Sequence, residues 1–293
     1  MNYFFSKLFS LTILITILAA CGSKQAEVPA ANSVSALKPA PTPSIALQVN
    51  GIPISKETVE TQRVVWQTEA SSGQPDPKTD ALVFETLINR TLMQATAEKF
   101  GIKQDTLAAE KIKLLEQATS PEAMENWLAK NHMSAAAFEQ FVGAEMQAQA
   151  VFNAITATVP TTAAQIHARC LHFSDENTAQ TAQQQLIDSA SFVTLATSYA
   201  CTDEAKQFGA DLGWFPAGVG VLPPEIEQVA FTMQPGSTSD VLSAKDGFFI
   251  LKVDARADNR PLTPEYHYQL RVNTFQNWLT QQYASAKIER IAN

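Results

Sequence analysis

The sequence is short of the residues that mark several large classes of protein. Three cysteines and four histidines in 293 residues are too few and too scattered for a zinc-finger-type chain. Basic residues are outnumbered, 21 against 29, which leaves a net charge of −8. With no basic surplus, nucleic acid is not an expected partner. Past residue 21 there is no apolar run of about 18 residues, so no internal transmembrane helix is expected. The HExxH, GxSxG and P-loop patterns are absent. Metalloprotease, serine-hydrolase and nucleotide chemistries of those types therefore lack support, and no cofactor is expected. What remains is 45% hydrophobic and 17% charged, a composition that supports a packed core and excludes a mostly disordered chain.

The N-terminus reads as an address followed by an anchor. Residues 1–20 carry one charge, Lys7, and then an apolar stretch from Ser10 to Ala20. That stretch is too short to span a membrane comfortably and has the form of a secretory signal region. It ends in Leu18-Ala19-Ala20-Cys21, which resembles a bacterial lipobox, in which the cysteine receives lipid and becomes the mature N-terminus. The alternative is an ordinary signal peptide ending beside a chance cysteine. Acyl chains on one residue anchor strongly through many buried methylenes. Position 22 is Gly rather than the Asp that often holds lipoproteins in the inner membrane, so the expected address is the outer membrane, periplasmic face. Residues 21–44 hold Pro29, Pro39, Pro41 and Pro43 among Ala and Ser, the composition of an extended tether.

The body opens with a strand and tight turn over 45–54, centred on Asn50-Gly51. Ser55 is placed to cap a helix running to about Ala70, and 71–78 reads as a loop. From Asp80 to Phe100 the pattern predicts a helix with Val83, Phe84, Leu87, Ile88, Thr91, Leu92 and Ala95 on one broad face and Gly101 as its stop. Further helices are expected at 105–117, 121–131 and 134–156, the last two opened by Ser120-Pro121 and Ser134. Beyond Pro160 the pattern changes. A strand is expected over 167–173, helices at 177–189 and 191–199, a turn-rich stretch holding six of the 11 glycines between Gly209 and Gly247, and strands at 241–242 and 248–253. This is a compact α+β module. An amphipathic helix over 264–286, with Leu270, Phe275, Trp278 and Leu279, needs a partner and is expected to pack on the N-terminal helices.

The stretch from Ala168 to Val253 resembles the parvulin family of peptidyl-prolyl isomerases. Ala168-Arg169 opens the first strand. Phe192 to Ala196 with Tyr199 matches the family's F-x-x-L-A-x-x-Y/F helix. Asp211-Leu212-Gly213-Trp214-Phe215 matches its most diagnostic turn. Ala230-Phe231, Pro235-Gly236 and Asp246 to Ile250 follow in the family's order. The flanks, Val49 to Ser55 and then Leu87-Ile88-Asn89 through Ala97 to Gly101, resemble the N-terminal domain of periplasmic isomerase chaperones of the SurA type. With the lipobox, the layout looks most like the lipoprotein isomerases encoded with bacterial exopolysaccharide systems.

The resemblance implies an α+β chain with a mostly helical, peptide-binding domain at 45–160 plus 262–293 and an inserted rotamase module at 163–256. It implies a proline pocket built from Leu212, Leu222, Ile226 and Phe249, with plain core packing as the alternative for Leu222 and Ile226. Its polar cluster maps poorly. Cys170 stands at the first family histidine position and Phe249 at the last-strand one. His172 shares Cys170's sheet face two residues on and stands in for part of the cluster. Asp203 aligns with the family's Cys/Asp position, or else is a solvated loop residue. Asp246 takes the serine position. Arg169 would either meet a substrate carboxylate or close an ion pair at the strand end. His132, His167 and His267 have no paired spacing and are expected at the surface.

In the resembled fold Cys170 points into the cleft and Cys201 lies on its rim. Lipidation would consume Cys21, leaving these two as an even pair in an oxidising compartment. They are therefore expected either as a disulfide or as two buried free thiols. The expected activity is peptidyl-prolyl isomerisation with chaperone action on unfolded or proline-containing polypeptides. The alternative is a parvulin module that has lost catalysis and only holds peptides. The expected attachment is to membrane through the N-terminal lipid.

Overall fold

The computed structural model describes residues 44–69, 77–118, 120–130, 133–188 and 190–291. The expected signal peptide at 1–20, Cys21, the tether as far as residue 43, Ala70 at the expected end of the first helix, residues 71–76 of the expected loop and His132 lie outside the described residues. The chain divides into two compact units. One takes Met1–Ala157 with Phe275–Asn293, and the other is Thr158–Thr274.

The first unit begins with a hairpin of β1 (Ile45–Val49) and β2 (Ile52–Ser55). Asn50 and Gly51 turn it with φ of 52° and 80°, the pair of positive values that a two-residue hairpin loop of matching twist requires. Five helices follow: α1 (Lys56–Glu69), α2 (Pro77–Lys99), α3 (Gln104–Ala118), α4 (Pro121–Lys130) and α5 (Ala135–Thr156). Three start where a hydroxyl accepts an otherwise unpaired amide: Ser55 from Thr58, Ser120 from Ala123 and Ser134 from Ala137. Helix α2 is buried more widely than a single stripe. Ala95, expected inside, is exposed, while Thr86, Asn89, Met93 and Ala97 are buried. A helix surrounded by neighbours loses its amphipathic signature, which is why one face was the wrong description.

Leu115, Trp127, Met133, Phe138, Phe141 and Val142 form one core between α3, α4 and α5. Phe152 of α5 meets Phe275 edge-on at 5.3 Å, and Phe275 in turn leans on Trp278. The unit is completed by β7 (Ile288–Arg290), an antiparallel third strand that gives the sheet order β2-β1-β7.

The second unit is a four-stranded antiparallel sheet in the order β4-β3-β6-β5. Its strands are β3 (Thr162–Phe173), β4 (Asp211–Pro216), β5 (Leu242–Ala244) and β6 (Gly247–Pro261). Both long strands exceed their predicted lengths, because Arg256, Asp258 and Arg260 extend β6 without an apolar pattern. Strand β4 was not expected, since Gly213 at φ +70° interrupts its alternation. The helices are α6 (Glu176–Ile187), α7 (Phe192–Tyr199), the short α8 (Asp203–Gln207) and α9 (Pro224–Ala230). The last helix, α10 (Pro264–Ser285), contains the cut between the units at 274/275.

Alternate residues of β3 and β6 feed two cores. Leu171, Phe173 and Ile250 pack under α6 and α7 with Ala179, Phe192 and Leu195. Ile166, Ala168, Cys170, Phe249, Leu251 and Val253 face the other way, onto Phe215, Leu222, Ile226 and Ala230. It is this second face that carries the candidate site.

Candidate functional site

The second face of the sheet assembles every apolar residue that the sequence proposed for a proline pocket. Phe249 lies beside Cys170 and Leu251 on the sheet, Leu222 and Ile226 descend from the α9 region, and Leu212 packs at the edge from β4. Their depth is uneven. Leu222, Ile226 and Phe249 are 4%, 1% and 5% exposed, so they make the floor of the site. Accessible apolar surface is left to half-buried neighbours of that floor, among them Leu212, Phe231, Met233 and Leu242. Sequence reasoning missed Met233 and Leu242 as site residues. Their only signal was a position just after the Ala230-Phe231 segment and just before the last strand.

His172 is at the upper end of the same face. It is the cross-strand partner of Phe249, which pairs in turn with Leu242, and its ring stacks on Phe249 at 4.7 Å. Its Nε2 lies 2.9 Å from the carbonyl oxygen of Asp246. A carbonyl only accepts, so Nε2 is the protonated nitrogen and Nδ1 is left as an acceptor. The two-residue turn Lys245-Asp246 ends at Gly247, whose φ is +134°. A Cβ there would sit 2.4 Å from the Phe173 carbonyl oxygen and 2.8 Å from His172 Nε2. Glycine is what lets the turn close on the histidine.

The remaining polar expectations need correction. Cys170 is fully buried and disulfide-bonded to Cys201, with Cα atoms 5.5 Å apart. Its sulfur is spent in that bond and so has no catalytic polar role. Asp203 begins the short helix after its cap Thr202, and its side chain is 97% exposed. The Lys206 ammonium, 2.7 Å away, holds its carboxyl below the ordinary carboxylate range. Asp203 thus faces solvent and is not brought to His172 or the apolar floor. Asp246 contributes its carbonyl rather than its side chain. Of the proposed polar cluster, His172 alone reaches the site.

Another polar network was not foreseen. His167 Nε2 lies 2.8 Å from Asp211 Oδ1, and the same oxygen accepts the Gly213 amide at 2.8 Å. Arg169 donates to Asp254 Oδ2 and to the Gly209 carbonyl, both at 2.8 Å. The His167 ring stacks on Trp214, with Arg260 over the same indole. These groups fix the 209–214 turn against β3 and β6, and Arg169 takes the strand-end ion pair that was one of its two readings. His167 is therefore a structural partner of the diagnostic turn. Its distance of 44 residues from Asp211 gave no local spacing signal. His267 Nε2 meets the Val159 carbonyl oxygen at 3.2 Å.

The disulfide closes a 31-residue separation, for which chain entropy gives roughly 3–4 kcal/mol. Replacing both cysteines by alanine is expected to lower the stability of Thr158–Thr274 by about that much. Chemical denaturation checks this. A loss below about 1 kcal/mol, or two alkylatable thiols in the unreduced protein, would remove the staple from the account.

Among the described residues no helix is long and apolar enough to cross a membrane, and no group of three or more metal-ligating side chains occurs. Residues 172–255 match the Rotamase family, a PPIC-type PPIASE domain. A foldase protein PrsA of Caldanaerobacter subterraneus subsp. tengcongensis is 37% identical over 87 residues, which cover 30% of this chain and 28% of that one. A foldase protein PrsA of a Geobacillus species is 28% identical over 126 residues, 43% of this chain and 45% of that one. The matches thus span less than half the length of these relatives. A crystal structure of a peptidylprolyl isomerase (PrsA) from Bacillus anthracis aligns with a TM-score of 0.48 and 24% identity, covering 69% of this chain and 94% of that one. The chain thus carries a PPIC-type parvulin domain, the domain type of peptidyl-prolyl cis-trans isomerases, and has PrsA foldases among its relatives.

Proposed function

We propose that the protein is a peptidyl-prolyl cis-trans isomerase and folding chaperone for exported polypeptides, held at the periplasmic face of the outer membrane by lipid on Cys21. The observation that carries this reading is the apolar floor of Leu222, Ile226 and Phe249 with His172 stacked at its rim, inside the matched PPIC-type domain.

The chemistry breaks no bond. Rotation about an X-Pro amide crosses a barrier of roughly 18–20 kcal/mol set by resonance in the planar amide. Catalysis requires that the twisted amide be bound more tightly than the planar one. A proline ring seated over an apolar floor fixes one side of the rotating bond. Withdrawal of water from the carbonyl there disfavours the charge-separated planar form. His172, with Nε2 held by the Asp246 carbonyl and its ring stacked on Phe249, is the polar group at the rim.

A second reading has a specific observation behind it. The two positions where the resemblance expects histidine hold a disulfide-bonded cysteine and a buried phenylalanine. A module furnished in this way would bind proline peptides and turn them over slowly or not at all. An isomerisation assay on a proline tetrapeptide separates the two readings, and its outcomes are given at the end of the Discussion. A role in exopolysaccharide export belongs to the same proposal and rests on the order of lipobox, tether and isomerase layout.

For the anchor, Cys21→Ser is expected to move the protein from the membrane fraction to the soluble fraction. Normal maturation and membrane fractionation of that variant would refute the lipid.

A further inference from the structure

The first half of α10, up to Thr274, belongs to the second unit. It starts where the Thr263 hydroxyl accepts the Tyr266 amide, with Pro264 in the first turn, where no amide is needed. The Leu262 amide is bonded to the Thr161 carbonyl, and His267 Nε2 reaches the Val159 carbonyl oxygen, so this start is held beside the base of β3. Tyr266, Leu270 and Asn273 then follow at helical spacing on one face. Tyr266 packs against the cluster that contains Leu222, Ile226 and Phe249. All three lie outside residues 172–255, the segment that matches the family.

The same helix face meets the loop 217–221 between β4 and α9. Asn273 Nδ2 donates to the Gly218 carbonyl, and the Gly218 amide donates to Glu227 Oε1 at 2.9 Å. Both main-chain groups of one loop residue are thus held by side chains. A Cβ on Gly218 would be 3.8 Å from Leu270 Cδ2, so the loop backbone runs along the helix. Fixed in this way, the loop sets Val219 and Val221 against the same cluster as Tyr266. Burial, with the Glu265 charge as a smaller cause, raises the Tyr266 hydroxyl above the ordinary tyrosine range.

Burial decides what these residues can do. Leu222, Ile226 and Phe249 are sealed, whereas Val219, Val221 and Tyr266 are half-buried and keep apolar surface open beside them. A side chain next to a seated proline would cover that surface, and leucine would cover more of it than alanine. We propose that α10 supplies an outer wall of the prolyl site, in which Tyr266 with Val219 and Val221 selects an apolar residue beside the proline, and Asn273 is a positioning residue that holds the loop. The inference rests on reading this face as the prolyl site.

The test uses the full chain in mild detergent and two labelled tetrapeptides, Ala-Leu-Pro-Leu and Ala-Ala-Pro-Ala, with binding and catalysed relaxation both measured. The leucine peptide is expected to bind, and to be turned over at kcat/KM, about fivefold better, less than an enclosed apolar pocket gives because this wall is open. Tyr266→Ala should bring the ratio near one, and Tyr266→Phe, which keeps the ring, should retain it. Val219→Thr, of similar shape, should also lower the ratio and carries the test should Tyr266→Ala fail to fold. Asn273→Leu keeps the volume and removes the donor to Gly218. It should raise Kd and KM for the leucine peptide about fivefold with kcat little changed, a split that lost stability alone would not produce. Binding of neither peptide, a ratio near one in the parent, or a ratio left intact by folded Tyr266→Ala or Val219→Thr would overturn the wall. Unchanged Kd and KM in folded Asn273→Leu would overturn the positioning role. Equal acceleration and equal binding of the two peptides sink this inference alone. Binding in the expected ratio without acceleration of either peptide sinks the catalytic reading alone.

Discussion

Truncation after Thr274 is expected to unfold the first unit and to leave Thr158–Thr274 folded. The removed segment supplies Phe275, fully buried against Phe152, and Leu279, also buried. It also supplies β7, which pairs along Leu47 to Val49 of the central strand and is latched by the Asn50 and Lys287 main chains. Loss of a buried phenylalanine alone costs about 3–5 kcal/mol, and a domain has roughly 5–15 kcal/mol in total. Removing that side chain, Leu279 and a whole strand together exceeds what the unit is expected to spare. Thermal unfolding followed by far-UV and near-UV circular dichroism checks this. The truncated chain should retain the transition of the α+β unit and lose that of the helical one. A helical transition within a few degrees of the parent's would contradict the packing described.

Leu222→Asp is expected to abolish both proline-peptide binding and isomerisation. Leu222 is 4% exposed and meets only apolar neighbours in its cluster, so the carboxylate would be buried without a partner or would open the floor to water. The cost of an uncompensated buried charge is about 3–5 kcal/mol, enough to threaten the fold of the unit as well. Leu212→Ala separates the two effects. Leu212 is half-buried at the edge of the cluster, so its truncation removes contact surface at smaller cost to the core. Turnover should fall several-fold in Leu212→Ala while the melting temperature changes little. Shifts in the amide spectrum on adding a proline peptide that survive in folded Leu222→Asp would place the peptide elsewhere.

Helix starts were legible in the sequence because they depend on neighbouring residues. Ser55, Ser120 and Ser134 each bind an amide three residues on, a contact written into local spacing. The Asn50-Gly51 turn was legible for the same reason. Strand β7 and the length of β6 were not, since their residues are largely exposed and polar and their pairing depends on partners far along the chain. The apolar floor was legible through family order, and its members do meet. Their depth was not, because burial is set by how α9 closes over the sheet. Asp203 shows the limit of alignment by spacing. An ungapped count put it in the cluster, but a cap at Thr202 and an ion pair with Lys206 turn it to solvent. His167 was passed over because its partners Asp211 and Trp214 reach it across the sheet.

The central claim is that the face holding Leu222, Ile226, Phe249 and His172 isomerises prolyl bonds. The most direct measurement is the cis-to-trans relaxation of a proline tetrapeptide, which takes tens to hundreds of seconds uncatalysed. The full chain should accelerate it in proportion to protein concentration, and His172→Ala should reduce that acceleration without abolishing peptide binding. Relaxation at the uncatalysed rate in the presence of folded, peptide-binding protein would contradict the claim and leave the module as a holder of proline segments.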